Sequence, residues 1–170
     1  MGRIGVDDLE DLRTLRLDDE SRDELLSVQT ECTFIFADPE GWPGGVVMSF
    51  LYAAKDADAA FWLTATRTRA HARAIVDNPR VTIVVSSAGT SLPGRRMLAI
   101  RGVAEVHDDR DTKDWFLPRF ADKLKAAKPE EFMRLLDSDN RVVFKVRPVG
   151  IAASHDSRKM PGDGRGGAGG

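Results

Sequence analysis

Between Cys32 and Val106 the chain sets down one β-rich run after another, with a single short helical interval among them. The runs are residues 32–37, 46–52, 60–64, 81–86 and 97–106, and a sixth, 141–151, follows two helical segments. Parallel strands need a crossover of a dozen or more residues between them, usually a helix, whereas antiparallel strands are joined by short turns. Helices do not stand between all of these runs, which argues against a doubly wound parallel sheet. The pattern predicts a mainly β (α+β) domain, a six-stranded, mostly antiparallel barrel with peripheral helices.

Local punctuation sets the boundaries. Ser21-Arg22-Asp23-Glu24 before Leu25 and Leu26 is a capping-box pattern and predicts a helix starting near Ser21. Asp38-Pro39-Glu40-Gly41 is a turn signal after the first run. Alanines at 70, 72 and 74 break the β-branched alternation and predict a helix over 68–76, ended before Asn78-Pro79. The nearly continuous apolar run 81–86 predicts a strand buried on both faces. Gly102, inside the long run 97–106, predicts a bulge or a close backbone approach. Helical spacing covers 111–124, where Trp115 and Phe116 read as core, and 129–136. Three units follow: a helical arm over 1–26, the barrel domain over 27–157, and a Gly-rich tail over 158–170 expected to be disordered.

Charge is distributed more informatively than its total of −2. Asp7 to Glu24 holds nine acids and three arginines, a net of −6, while Arg67 to Arg101 holds seven arginines and one acid, a net of +6. No lysine lies in that basic stretch, and arginine's planar fork suits phosphate oxygens where lysine offers a point charge. The near-neutral total argues against a dedicated nucleic-acid binder. The chain has one cysteine, Cys32, in an apolar run, and it reads as an inert buried thiol. With His71, His107 and His155 at no metal-ligating spacing, neither a zinc site nor an internal disulfide is expected. No run reaches the roughly 20 apolar residues of a membrane span, and a reducing, cytoplasmic setting is the natural expectation.

The segment Phe61 to His71 concentrates the functional signal. A strand ends, hydroxyls stand at Thr64, Thr66 and Thr68, and a helix begins beside Arg67 and Arg69. Free N–H groups and the positive end of the dipole stabilise an anion at such a start. Ordinary N-capping by Thr68 with solvated arginines is the other reading of the same residues.

In order and spacing, Trp62-Leu63-Thr64, the basic helix start, Asn78-Pro79-Arg80-Val81 and Gly102-Val103-Ala104-Glu105 resemble the pyridoxamine 5′-phosphate oxidase-like, FMN-binding split β-barrel family. The resemblance spans roughly residues 27–151. It implies a homodimer with the cofactor at the interface, and a cofactor site of named residues. Val47, Met48 and Ser49 would line the isoalloxazine, and Thr64 and Thr66 would continue toward the ribityl chain. Arg69 and His71 stand where the family commonly places a serine and a lysine for the phosphate. Arg96 and Met97 match a region that approaches the cofactor near the interface. The histidine in place of lysine leaves the coenzyme F420, which some relatives bind at this site, as an alternative to FMN.

The chain offers no nucleophile–base pair of its own: Ser49, Ser86 and Ser87 lack nucleophile-elbow glycines. A bound cofactor would then carry any reaction, with the protein supplying orientation and electrostatics. The expected activity is an FMN-dependent oxidoreductase acting on a small organic substrate, with no catalytic side chain identified. A non-catalytic protein holding flavin, F420 or haem is the alternative. The C-terminal Trp- and Arg-containing substrate segment of the oxidase itself has no counterpart here.

Overall fold

The computed structural model describes residues 13–56 and 58–160. The start of the expected arm and most of the expected tail lie outside the described residues. Seven strands form one antiparallel sheet in the order β2-β1-β5-β6-β7-β4-β3. They are β1 (Glu31–Ala37), β2 (Pro43–Ser49), β3 (Leu51–Lys55), β4 (Asp58–Thr66), β5 (Arg80–Ser86), β6 (Arg96–His107) and β7 (Arg141–Asp156). The helices are α1 (Asp19–Val28), α2 (Ala70–Asp77), α3 (Arg110–Lys123) and α4 (Pro129–Leu136).

The sheet is curled but not closed. Phe34 of β1 and Phe144 of β7, three strands apart in the order, bring their rings to 5.8 Å across the interior. Inward residues alternate along each strand: Phe34, Ile83, Leu98, Leu63 and Phe144 are all fully buried in one core. The run 46–52 becomes two strands rather than one, which raises the count from six to seven. Phe50 interrupts it: its N–H donates to Thr30 O at 3.0 Å, and its fully buried ring packs on Phe61. The two edge strands of the open sheet, β2 and β3, are therefore neighbours in sequence.

Several boundaries move for identifiable reasons. Helix α1 starts at Asp19 because Asp18 Oδ1 accepts the Ser21 N–H at 2.8 Å, while the Ser21 hydroxyl accepts from Arg158. That helix spans the 26–27 boundary and buries Leu25 and Leu26 in the main core. Strand β5 is buried on one face only: Val81, Ile83 and Val85 point inward, and Thr82 and Val84 are half-buried on the outside. Gly102 sits at a register irregularity between β6 and β7, where an added Cβ would lie 2.4 Å from a Val146 methyl. A second, smaller core forms outside β4, where Trp62 and Val143 meet Phe116, Leu117 and Phe120 of α3. Phe116 is fully buried there, and Trp115 packs half-buried against it. Cys32 is buried, and desolvation pushes its thiol up to about 12.

Candidate functional site

Strand β4 ends at Thr66, and the chain turns at once into α2. Arg67 N donates to Asn140 O at 2.7 Å and Arg69 N to Thr66 O at 3.0 Å, which fixes the helix start against the turn before β7. The helix begins at Ala70, two residues later than the alanine pattern predicts. Arg69 holds the N-cap position and makes no side-chain cap. Thr68 therefore does not cap the helix, and among the described residues no side chain takes up the N–H groups of the first turn. Those donors are the positive pole at which an anion is stabilised.

Two guanidiniums share this corner. Thr66 of β4 stands opposite Arg141 at the start of β7. The Arg141 Nε is buried without a hydrogen-bond partner, and burial first, then the nearby Arg69 charge, lowers its pKa. Neither Arg69 nor Arg141 has a carboxylate partner among the described residues, whereas Arg67 between them in sequence pairs with Asp108 at 3.0 Å. Like charges held together, with an orphaned buried donor, form a locus short of one anion.

His71 lies below them in the core. It is buried, and the rings of Phe34, Phe36 and Phe144 surround it at 6.2, 6.0 and 6.1 Å. Its Nε2 has no partner, and desolvation, reinforced by Arg69, lowers its pKa. His71 is thus a neutral imidazole near pH 7 and brings no charge to the corner. The positive charge comes from Arg69 and Arg141.

Phe34 and Phe36 face Val46 and Gly44 on β2, one strand further out. As an edge strand, β2 leaves half of its backbone N–H and C=O groups unpaired. Val47 and Ser49 project outward, opposite Thr33 and Glu31, and Val47 is 70% exposed. Met48 points the other way, opposite Cys32, and packs on the core. The Thr64 hydroxyl donates to Val142 O at 2.8 Å, so only its lone pairs are open to a ligand.

Of the residues read from the sequence, Thr66, Arg69 and His71 come together, with the β2 edge one strand beyond the phenylalanines that hold His71. Arg96 does not join them. Its side chain is 1% exposed and its Nη1 donates to Glu24 of α1, because a buried guanidinium needs a carboxylate nearby. Met97, next in β6, points to the other face, opposite Ser86 and His155. Arg141 is the residue that sequence reading misses. Its only linear signal is an arginine opening an apolar strand after Asp139-Asn140.

The comparisons with known proteins agree with this architecture. A family model described as pyridoxamine 5′-phosphate oxidase matches residues 18–155. No curated protein matches the chain by sequence. A conserved hypothetical protein of Mycobacterium tuberculosis superposes with a TM-score of 0.71 at 17% identity, covering 86% of this chain and 89% of that one. A structure described as F420 reductase gives 0.58 at 24% identity, covering 76% and 94%. The haem storage protein of Vibrio cholerae gives 0.62 at 18% identity, covering 80% and 94%. At these identities the likeness is one of fold.

Proposed function

The chain belongs to the pyridoxamine 5′-phosphate oxidase-like family, and within it we propose an FMN-dependent oxidoreductase acting on a small organic substrate. One observation carries the reading: among the described residues Arg69 and Arg141 have no carboxylate partner, and they flank a helix start whose first-turn N–H groups no side chain caps. A phosphate monoester supplies the charge and the acceptors that this corner lacks.

The residues present fit the cofactor's anionic end. Arg69, Arg141 and the α2 N–H groups would hold the phosphate, and Thr66 would meet the ribityl chain beside them. Thr64 would accept from the same chain through its free lone pairs. The unpaired backbone edge of β2 at 46–49 would hydrogen-bond the ring, with Val47 and Ser49 on its outward side. When bound, the isoalloxazine supplies the redox chemistry. The chain's own part is to orient the ring, balance the phosphate charge and leave an apolar wall against water. His71, neutral and enclosed, supports the helix start from beneath and exchanges no proton with substrate.

F420 is the second reading. It is favoured by His71, neutral and enclosed, at the position where the family commonly has a lysine for the FMN phosphate, and a protein of the same fold is described as F420 reductase. A homodimer belongs to the same proposal. Val47, Val149 and Ile151 are exposed at 70%, 65% and 56% on strands of the sheet, apolar surface that a second copy would cover. Mass spectrometry of whatever small molecule is released on denaturation separates FMN from F420. Flavin absorbance bleached by NAD(P)H supports the enzyme, and a Soret band would rule the flavin reading out. A monomeric mass at micromolar concentration would remove the dimer.

A further inference from the structure

The start of α3 reaches both chain segments that build the anion corner. Asp108, just ahead of the helix, pairs with Arg67 at 3.0 Å. Arg110 Nη1 donates to both carboxylate oxygens of Asp137 at 2.9 Å. Lys113 Nζ donates to Ser138 O at 3.2 Å. Asp137 and Ser138 open the turn that leads into β7, and the same Ser138 O accepts the Arg141 N–H at 3.0 Å. Asn140 O, in that turn, is the acceptor for the Arg67 N–H. The turn thus joins α3 on one side to Arg141 and the approach to α2 on the other.

Lys113 is the unusual member of this set. It is 7% exposed, and among the described residues its ammonium meets one carbonyl and no carboxylate. Burying an ammonium without a counter-charge costs stability. The bond does not rescue an empty acceptor either, because Ser138 O already holds the Arg141 N–H. The fold therefore gains little from this contact. What the contact fixes is the place of Ser138 O, and with it the backbone from which Arg141 projects. The Arg110–Asp137 pair beside it is partly solvated and holds the turn only weakly.

We propose that Lys113 is a positioning residue for the anion site. By holding Ser138 O it fixes the turn through which Arg141 enters β7, so that the Arg141 and Arg69 guanidiniums meet one phosphate. The proposal rests on the phosphate reading of the corner given above. Lys113 acts through Arg141 and makes no contact of its own with the ligand. A binding group that is loose by about 1 Å loses most of its effect, which is why a buried hold on the supporting turn matters to the site more than to the fold.

Two variants of the full chain test it. Lys113→Met keeps an apolar stem and removes the donor, while Lys113→Arg restores a charged donor of at least equal reach. Flavin fluorescence gives the Kd for FMN, and nitrogen-15 NMR reads amide exchange and the response to inorganic phosphate. Lys113→Met is expected to raise the Kd for FMN about tenfold, the lower end for loss of one charge-assisted hydrogen bond to the phosphate. Its Arg141 amide proton should exchange faster, and phosphate should no longer shift the Arg141 Nε–H resonance. Lys113→Arg is expected to return all three readouts towards wild type, and both variants should melt within a few degrees of it. Should the methionine variant not fold, Arg110→Gln, which releases Asp137, is expected to move the same readouts in the same direction. Wild-type FMN affinity in Lys113→Met would overturn the proposal, as would an arginine variant that restores nothing. Weakened FMN binding with the Arg141 amide unchanged would also overturn it, since the charge of Lys113 rather than its hold would then be the cause. A wild type that binds neither FMN nor inorganic phosphate would instead remove the anion reading beneath it.

Discussion

Replacing Arg141 by methionine separates a ligand-binding arginine from a structural one, because the two roles predict opposite signs. In the free protein the Arg141 Nε is buried without a partner, and the Arg69 charge repels its guanidinium. An unsatisfied buried donor costs about 1–3 kcal/mol, and methionine keeps the apolar stem while removing both the donor and the charge. Unliganded Arg141→Met is therefore expected to melt at or above the wild-type temperature. For FMN the sign reverses. A charge-assisted hydrogen bond contributes about 1.5–3 kcal/mol, so its loss raises Kd by roughly 10- to 150-fold. Quenching of flavin fluorescence gives the Kd, and thermal unfolding with and without FMN gives the stabilities. Inorganic phosphate should stabilise the wild type more than the variant, since a ligand of the native state alone shifts the equilibrium by mass action. An unchanged Kd would refute the phosphate role of Arg141. A variant that melts several degrees lower without ligand would show the guanidinium to be part of the fold.

Three further outcomes follow from buried groups. His71 has a lowered pKa in the folded chain, so below its ordinary value near 6.5 the unfolded state takes up a proton that the fold refuses. Wild type should lose stability as pH falls through that region, and His71→Leu should lose less; parallel melting curves across roughly pH 5 to 8 would contradict this. Glu24→Ala removes the hydrogen-bonded partner of the Arg96 guanidinium, which is 1% exposed, and leaves it only the charge of the buried Asp156 across the β6–β7 register. The cost is about 3 kcal/mol in urea unfolding, at the low end for a buried charge that loses its partner because Glu24 is half exposed; a loss within experimental error would mean that Arg96 finds another partner. Cys32, buried and with its thiol pushed up to about 12, should resist a disulfide exchange reagent in the native protein and react fully in denaturant.

The strands were legible because alternation with turn residues at each end is a local property. The break at Phe50 was not: Val46 to Tyr52 is uniformly β-forming, and the interruption comes from Thr30 and Phe61, distant in sequence. The helix start at Arg69 could be read from hydroxyls and arginines in a row. Its second guanidinium could not, since only the β4–β7 register carries Arg141 to Thr66. Arg96 reads as available for the same reason in reverse, because nothing near it in sequence announces Glu24. His71 sits on a helix of eight residues, too short for periodicity to declare which face the three phenylalanines enclose.

The place of β7 in the sheet governs the order in which the molecule can assemble. The strands β2, β1, β5 and β6 form one hydrogen-bonded block, and β3 with β4 forms another. Strand β7, synthesised last, is the only one that pairs with both. On the ribosome the β3–β4 hairpin must wait, half-paired, until Arg141–Asp156 emerges between the blocks. An isolated two-stranded hairpin is marginal in water, and non-local pairing of this kind slows folding. The waiting edge of β4 is therefore the point at which a nascent chain is exposed to wrong partners. The anion corner, built from Thr66 on one block and Arg141 on the closing strand, exists only once that last step is complete.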